Sequence, residues 1–592
     1  MSDEEVKRAL AQRTENFLKL FQGGDYAQAL LAARVITEDF PESAFGWKAL
    51  GAILKLMGAL DASLEPMRRA TELDPCDAEA FSNLGTTLHD MGQLEPAVEC
   101  YKKAIALNPQ HAEAYCNLGV ALKDAARFTE AQTCYLKALE LKEGYPEAWS
   151  NLGNTLQILG DVPNAVSCYE RAIALKPTFL EARSNLLFCL NYVHGLTGAT
   201  MLAYAQQYGA LVSERSQPKF NQWNTRPVGK PLRLGFVSGD FKNHPVGFFF
   251  EGLMTHLCHA EFVLHAFSTS FEADELTDRI KPLFDSWTLI VGLSDQEAAS
   301  LIHKKGIDIL VDLSGHTDHN RLAVFSFRPA PIQVSWLGYF APTGLPEMDF
   351  FIGDPFLAPE NEQLHFTEKL WQLPQTWFSR LPFSVSPSIQ SLPALRNGWL
   401  TFGCLGNLAK MNDAVVALWA RVLHAVPASR LLLKARQLAD AAAVTKVQAG
   451  FQACGIDPQR LILQGPSLQQ EYLQTYNQID VVLDTFPYPG GTTSVDALWM
   501  GVPVLTLKGD RFLSRLGASV ASNAGLSEWI AQDPDDYLTK AVAFTRNLEA
   551  LERLRSGLRL RVSQGPLFNV KVFAENFADA LRKMSEGGQV RP

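Results

Sequence analysis

Two short segments of the chain carry side chains that suit proton transfer or phosphate binding. In "SGDFKNHPVG", His244 follows an apolar run and Pro245 restricts the backbone beside it. A histidine in such a loop could act as a base or donate a hydrogen bond to a phosphate, or it could simply occupy a turn. In "GCLGNLAKMND", Lys410 lies between a strand-like run and a helical one. Its charge could stabilise a leaving diphosphate, or the lysine could be solvated at a helix start.

A third segment, "FPYPGGTTSVDALWMGVPVL" from Phe486 to Leu505, places glycines and threonines ahead of a predicted helix over Ser494–Met500. The N-terminal amides of a helix and two hydroxyls form an anion site, although glycine turns and threonine caps are also ordinary helix punctuation. Asp496 could accept hydrogen bonds from a ribose or favour the helix dipole. The residues of the predicted anion site are Gly490, Gly491, Thr492 and Thr493.

The elements that must position these segments alternate between strands and helices. A first series of β-rich runs contains "LRLGFVSGD", "IDILVDLSG", "IQVSWLGY" and "DFFIGD", and a second contains "WLTFGCLGN", "SRLLLKA", "RLILQG", "DVVLDTF" and "VPVLTL". Such alternation predicts parallel sheets whose carboxyl edges carry the active residues. We predict two Rossmann-like domains, residues 231–385 and 398–580, that face each other across a cleft. Neither GxGxxG after the first strand nor GxxxxGK[ST] occurs, which disfavours nicotinamide binding and P-loop hydrolysis.

The first third of the chain is a repeat with a period of 34 residues. Asn-Leu-Gly recurs at that spacing, and each unit continues with an alanine, a tyrosine and a second alanine at fixed offsets. This alternation of large and small residues is the tetratricopeptide pattern of two antiparallel helices. Because no single unit can bury its apolar face, the units must stack into a superhelix. We assign residues 1–192 to this repeat domain and 193–230 to a helical connector.

One polar residue type recurs at a single position of the repeat. The asparagines there are Asn83, Asn117, Asn151 and Asn185. An amide both donates and accepts, so a row of them could grip the backbone of an extended peptide without reading its sequence. The same row could instead form hydrogen bonds between neighbouring helices. Either way, this third of the chain is predicted to be a binding module.

Composition limits the class of protein. The chain has 592 residues, 53 basic and 63 acidic, and its net charge of -10 argues against nonspecific nucleic-acid binding. No run approaches the length of a membrane span, and the acidic start "MSDEEVKRAL" is not a secretory signal. The nine cysteines contain no CxxC pair, which favours reduced packing thiols over disulfides or a zinc site. We therefore predict a cytoplasmic protein without a bound metal.

Together these motifs resemble the protein O-linked GlcNAc transferase family, which includes the plant SPINDLY proteins. The resemblance joins the repeats to "HP" at 244–245, "RPAPIQVSWLGY" (Arg328–Tyr339), "NLAK" and "DTFPYPGGTTSVDALWMGVPVLT", and it covers residues 44–575. It implies a GT-B fold, which consists of two facing Rossmann-like domains after the tetratricopeptide superhelix. It also implies a metal-independent transfer that inverts the anomeric centre and moves a sugar from a nucleotide-sugar to Ser or Thr. No other cofactor is implied.

The resemblance also implies roles for particular residues. His244 matches an active-site histidine, and Lys410 matches the lysine on the donor phosphates, with Asn407 in the same loop. Thr492 and Thr493 match phosphate-binding threonines, with Gly490 and Gly491 in the same turn. Asp496 matches the carboxylate that holds the ribose.

Departures from the family pattern leave the donor open between UDP-GlcNAc, which we place first, and GDP-fucose. Where animal members have a second active-site histidine, ungapped alignment gives Asp308, which we include as a catalytic candidate. Gln469 and Tyr472 replace the residues beside the uracil, and Gly491 replaces the histidine before the threonine pair. "NLAK", "DTFPY" and "SRLLLK", which ends at Lys434, are closer to the SPINDLY proteins, so Lys434 is included in the nucleotide site.

Three functions remain in competition. The first is a protein O-glycosyltransferase whose protein or peptide acceptors bind along the repeat groove; a homodimer is compatible with it. The second is a GT-B enzyme for a small molecule or glycan, in which the repeats serve only for docking. The third is a repeat scaffold whose catalytic half has decayed, which the joint presence of the site residues disfavours.

Overall fold

The computed structural model describes residues 3–224 and 229–587. It divides into two compact units, of which the first comprises Met1–Ile158 and Ser167–Pro177 and the second Leu159–Val166 and Thr178–Pro592. The division lies before residue 192, the predicted end of the repeats. Residues 225–228 of the predicted connector lie outside the described residues.

The repeat region consists of paired helices of similar length. They are α1 (Asp3–Gln22), α2 (Tyr26–Asp39), α3 (Ala44–Leu56), α4 (Leu60–Leu73), α5 (Ala78–Asp90), α6 (Leu94–Leu107), α7 (Ala112–Asp124), α8 (Phe128–Leu141), α9 (Pro146–Ile158) and α10 (Val162–Leu175). Side-chain oxygens of Asp25, Ser43 and Asp77 accept from the first turns of α2, α3 and α5, which satisfies amides that the helix leaves unpaired.

A glycine and a tyrosine explain why the two helices of one repeat lie so close. A Cβ atom at Gly119 would lie 2.6 Å from the ring of Tyr135, and one at Gly153 would lie 2.9 Å from Tyr169. Both tyrosines are buried, so neither ring has room to move. The sequence pattern of Asn-Leu-Gly followed by tyrosine therefore reflects a packing contact between the glycine of one helix and the tyrosine of the next. Asn83, Asn117 and Asn151 are half-buried on α5, α7 and α9.

The second unit contains two further packing helices and the α/β elements. Its helices are α11 (Leu180–Leu190), α12 (Gly198–Arg215), α13 (Pro245–Met254), α14 (Glu275–Ile280), α15 (Asp295–Lys305), α16 (Leu322–Ser326), α17 (Pro393–Asn397), α18 (Asp413–Ala425), α19 (Ala441–Ala453), α20 (Gln469–Thr475), α21 (Thr492–Trp499), α22 (Leu516–Asn523), α23 (Pro534–Arg546), α24 (Leu548–Ser563) and α25 (Val570–Gly587). The first strands are β1 (Leu232–Ser238), β2 (Phe262–Ser268), β3 (Ser286–Leu289), β4 (Ile309–Asp312), β5 (Ile332–Ser335), β6 (Phe350–Gly353) and β7 (Lys369–Gln372). The later strands are β8 (Leu400–Cys404), β9 (Ser429–Lys434), β10 (Leu461–Gln464), β11 (Val481–Leu483), β12 (Val504–Leu507) and β13 (Ile530–Ala531).

The strands form two parallel sheets with the same kind of order. The first runs β3-β2-β1-β4-β5-β6-β7 and the second β10-β9-β8-β11-β12-β13. In each sheet the strand order reverses beside the first strand, between β1 and β4 or between β8 and β11, and ligands bind such folds at that reversal. Helical repeats followed by two Rossmann-like domains confirm the predicted fold class. Strands β2, β3, β7 and β13 were not predicted.

Candidate active site

A cavity of about 460 Å³ lies where the carboxyl ends of the two sheets meet. Both reversal points contribute to it, because its walls include the loops after β1, β4, β8 and β11 and the start of α21. Among the predicted site residues, the cavity wall contains His244, Asn407, Lys410, Gly490, Gly491, Thr492 and Thr493. Segments far apart in the sequence therefore form one site.

His244 caps the N-terminus of α13 and lines the cavity from the side of the first sheet. Its Nδ1 accepts from the backbone N–H of Val246 at 3.4 Å and lies 3.5 Å from Oδ2 of Asp240. Burial lowers the pKa of His244, and Asp240 partly opposes this. The imidazole is therefore neutral at pH 7, and with Nδ1 accepting, its proton is assigned to Nε2.

Lys410 ends a short 3-10 turn, Leu408–Lys410, that Asn407 caps through its side chain. Its Nζ donates to the carbonyl of Pro489 at 3.0 Å and lies 3.8 Å from the ring centre of Tyr488. Burial lowers the pKa of Lys410, while the charge of Asp484 acts in the opposite direction. The lysine is thus held by the loop that leads into the glycine turn.

The start of α21 supplies the amides of the site. Gly491 caps the helix, and the amides of Ser494 and Val495 donate to its carbonyl. The amides of Thr492 and Thr493, which precede them, belong to the first turn and are not used by the helix itself. The positive end of the helix dipole and a lysine therefore meet at one wall, which is the arrangement that binds a phosphate group.

Asp484, at the end of β11, is a cavity residue that the sequence reasoning missed. Its Oδ1 accepts from the amides of Gly490 at 2.7 Å and Thr485 at 3.0 Å, and its Oδ2 accepts from Oγ1 of Thr506 at 2.9 Å. The acidic residue directly after the apolar run in "DVVLDTF" could have indicated this site residue.

The first sheet contributes further residues that were also missed. Thr317 and Asp318 reach the cavity from the loop after β4, and the Asp318 side chain is 93% exposed. The buried Asp312 accepts from the amides of Ser314 and Gly315 at the start of that loop. The remaining walls are largely aromatic, formed by Phe249, Phe340, Trp377, Phe378 and Tyr488.

Asp496 lies one helical turn behind the threonines and is bound to other side chains. Its Oδ1 accepts from Arg380 at 2.5 Å, and its Oδ2 accepts from the hydroxyl of Tyr472 at 3.2 Å. Burial raises the pKa of Asp496 to about 6, and Arg380 opposes this. Tyr472 also contacts the hydroxyl of Tyr476, which does line the cavity. Neither Asp496 nor Tyr472 forms part of the cavity wall.

The prediction that Asp308 is catalytic is corrected by its position. Asp308 precedes β4, whereas the cavity lies at the opposite, carboxyl end of that strand. Its Oδ1 accepts from the Arg233 guanidinium at 2.7 Å, and its Oδ2 accepts from the same side chain at 3.0 Å. The ungapped alignment matched Asp308 by its position in the sequence and took no account of where β4 begins. Asp308 is a partner of Arg233.

Two other predicted nucleotide contacts lie outside the cavity wall. Lys434, at the end of β9, donates to the carbonyl of Gly465 at 2.9 Å. Gln469 is the first residue of α20 and is exposed. Their roles beside a nucleotide base stay predictions.

Within residues 3–224 and 229–587, no group of three or more His, Cys, Asp or Glu side chains is placed to hold a metal ion. Over the same ranges, no helix combines the length and the apolar character that a membrane crossing requires.

Comparison with known families identified two kinds of match. The model described as Glycosyl transferase family 41 matches residues 192–381 and 388–577. Repeat models match further upstream, one described as TPR repeat over 87–125 and two as tetratricopeptide repeat over 112–145 and 146–179.

Curated relatives match over about two thirds of this chain. A Solanum lycopersicum protein described as "Probable UDP-N-acetylglucosamine--peptide N-acetylglucosaminyltransferase SPINDLY" is 32% identical over 404 residues, which is 67% of this chain and 43% of that protein. An Arabidopsis thaliana protein of the same description is 33% identical over 408 residues, 67% of this chain and 44% of that protein. A Caenorhabditis elegans UDP-N-acetylglucosamine--peptide N-acetylglucosaminyltransferase is 24% identical over 515 residues, 67% of this chain and 43% of that protein. The chain spans less than half the length of these relatives.

One solved structure is similar over most of both chains. A mutant of the Thermobaculum terrenum O-GlcNAc transferase superposes with a TM-score of 0.82 at 31% identity, covering 87% of this chain and 98% of that chain.

Proposed function

The chain belongs to glycosyl transferase family 41, and on that premise we propose that it transfers a sugar from a nucleotide-sugar to Ser or Thr hydroxyls of proteins. The transfer inverts the anomeric centre and uses no metal. The observation that carries the proposal is that Lys410 and the first residues of α21, Thr492 and Thr493, line one cavity. Both stabilise negative charge, and a departing nucleoside diphosphate is where negative charge develops.

The chemistry assigns different work to the two sides of the cavity. The acceptor oxygen attacks the anomeric carbon in line with the bond to the diphosphate. That bond breaks, the nucleoside diphosphate leaves with the bonding electron pair, and the hydroxyl proton passes to water or to an oxygen of the diphosphate. Lys410, Thr492 and Thr493 bind the diphosphate, with Gly490 and Gly491 leaving room for it. His244 donates from Nε2 and orients the acceptor or the sugar.

We propose UDP-GlcNAc as the donor, because the relatives and the similar structure carry names of N-acetylglucosamine transferases. GDP-fucose is the second candidate, favoured by Gln469 and Tyr472, which do not reproduce the uracil-side residues of animal members. A base in the wrong pocket leaves buried polar groups unpaired at about 1–3 kcal/mol each, which is enough to select one nucleotide.

The acceptors are proposed to bind the repeats. Asn83, Asn117 and Asn151 lie half-buried at equivalent positions of the first helix of successive repeats, which suits contacts to an extended peptide backbone. Asn151 also donates to the sulfur of Cys116 at 3.8 Å, so a contact between helices uses part of the hydrogen-bonding capacity of its amide. A glycan acceptor with the repeats used only for docking is the alternative. The homodimer stays a prediction.

A transfer assay tests this function. The purified chain is incubated with UDP-GlcNAc or GDP-fucose and a pool of peptides that contain Ser and Thr, and the products are identified by mass spectrometry. We expect one donor to modify hydroxyl side chains. Substituting the four asparagines of the row, Asn83, Asn117, Asn151 and Asn185, by alanine should lower transfer to proteins while leaving hydrolysis of the same donor unchanged. Transfer of neither sugar would refute the proposal.

A further inference from the structure

The carboxylate of Asp484 joins the two parts of the proposed phosphate site. Its Oδ1 accepts from the amides of Thr485 and Gly490, so it closes the loop that runs from Thr485 to Gly490. Within the loop, Oγ1 of Thr485 donates to the carbonyl of Tyr488 at 2.7 Å. The loop is therefore fixed at its ends and across its middle.

The same loop provides the contacts of Lys410. The lysine donates to the carbonyl of Pro489 and lies against the ring of Tyr488, and both residues belong to the closed loop. A change at Asp484 would thus move the surroundings of Lys410 and the amide of Gly490 together. The lack of a side chain at Gly517 leaves room for the carboxylate, because a Cβ atom there would lie 2.7 Å from Oδ2 of Asp484.

The bonding pattern shows an ionised carboxylate. All partners of Asp484 donate to it, two backbone amides and the hydroxyl of Thr506, as expected for a group that only accepts. Burial raises the pKa of Asp484, and these donors and Lys410 oppose the rise. Its negative charge in turn opposes the effect of burial on the pKa of Lys410.

The other titratable groups around this pair stay neutral. Burial raises the pKa of Cys404 to about 12 and raises the pKa of Tyr488 well above its ordinary value. The hydroxyl of Tyr537 donates to the backbone carbonyl of Asp484 at 3.4 Å, and burial raises the pKa of Tyr537 well above its ordinary value too. Between pH 7 and 9.5, the titration of this cluster is therefore that of Lys410 beside an anionic Asp484.

We propose that Asp484 is a positioning residue for the transferase, which holds the Thr485–Gly490 loop closed and keeps Lys410 cationic for the diphosphate. The inference rests on the proposed function, because it concerns the same site. Asp484 does not touch the reacting atoms; it acts through Lys410 and through the amide of Gly490.

The test measures how nucleotide affinity depends on pH. UDP and GDP are titrated calorimetrically into the full chain and into Asp484→Asn from pH 7 to 9.5. An asparagine oxygen still accepts from the backbone amides but carries no charge, so the pKa of Lys410 should fall. Since diphosphate binding needs the ammonium form, affinity should be lost at a pH about one unit lower than in the unsubstituted chain, as expected for removal of a nearby opposite charge.

A matched control, Asp480, flanks the same strand at its other end. Asp480 is buried at the opposite end of β11, its oxygens accept from the amides of Ala394 and Thr401, and it does not line the cavity. Burial raises the pKa of Asp480 to about 6. Asp480→Asn should therefore leave the pH profile of binding unchanged. A second variant, Thr506→Val, removes one donor but keeps the charge of Asp484, so the pKa of Lys410 and the pH profile of binding should stay as in the unsubstituted chain.

The outcomes are separable. A downward shift in Asp484→Asn, with no shift in Thr506→Val or Asp480→Asn, supports the positioning role. An Asp484→Asn profile that superimposes on that of the unsubstituted chain, or an equal shift in the Asp480 control, overturns it while leaving the proposed function intact. If the unsubstituted chain binds neither UDP nor GDP, both proposals fail. If Asp484→Asn does not fold, Asp484→Ser, which also removes the charge, decides in the same way.

Discussion

The two walls of the cavity differ in how firmly their polar groups are held. On the side of the second sheet, Lys410 and Asp484 each have partners within the protein, and the threonines begin a helix. On the side of the first sheet, the side chain of His244 is 40% exposed and that of Asp318 is 93% exposed. A fixed wall suits one constant ligand, a diphosphate, and an open wall suits acceptors of varied shape.

The largest expected effect is at the fixed wall. Lys410→Met removes the positive charge that this wall directs toward the leaving group and keeps a side chain of similar length, so turnover should fall by about 10² or more. The measurement is the rate at saturating donor. Lys540→Met is the matched control, because Lys540 also donates to a backbone carbonyl, that of Ile530, but lies outside the cavity. Near-normal turnover in Lys410→Met would mean that the wall does not bind the leaving group.

The open wall should respond differently to substitution. His244→Asn keeps an acceptor for the first turn of α13 but loses the Nε2 donor. Turnover should fall about tenfold, as for one lost hydrogen bond of about 1.5 kcal/mol, while the dissociation constant of the nucleotide stays within about twofold. Equal losses in rate and nucleotide affinity would contradict the division of work between the walls.

A smaller effect is expected where the glycine turn meets the threonines. A Cβ atom at Gly490 would lie 2.4 Å from Oγ of Ser494 and 2.6 Å from Oγ1 of Thr493. Gly490→Ala must displace these hydroxyls, so nucleotide affinity should fall about fivefold, which corresponds to about 1 kcal/mol. Gly450→Ala, where the nearest atom lies 4.0 Å away on Val416, is the control and should not weaken binding. Unchanged affinity in Gly490→Ala would contradict this prediction and show that the turn accommodates a Cβ atom despite these short distances.

The smallest effect is expected away from both walls. Asp308→Asn removes the ion pair with Arg233 at the opposite end of β4. Turnover should stay within about twofold of the unsubstituted chain, and unfolding should become easier by at most about 1 kcal/mol, as for a partly exposed pair. A strong loss of turnover without unfolding would restore Asp308 to the catalytic candidates.

The sequence predicted the repeats almost completely, because their contacts are local. Gly119 and Tyr135 meet within one repeat, and the period carries that contact along the chain. The sheets were predicted in part. Apolar runs such as those of β1 and β11 are visible in the sequence, whereas β7 is partly exposed and β13 contains only two residues.

The site was harder to predict, because side-chain partners come from distant segments. The resemblance supplied His244, Lys410 and the threonines, which do meet at the cavity. It could not show that Arg380 binds Asp496 across 116 positions, nor that Asp484 closes the glycine loop. Asp308 was proposed from an ungapped alignment alone, although it precedes β4 and ligands bind a parallel sheet at its carboxyl edge.

The most direct test of the account is whether the fixed wall binds a nucleoside diphosphate. Calorimetric titration of UDP and GDP into the unsubstituted chain and into Lys410→Met isolates that wall from the acceptor. We expect saturable binding of one nucleotide to the unsubstituted chain, weakened at least tenfold in Lys410→Met. Binding of neither nucleotide, or equal affinity in the two proteins, would contradict the account.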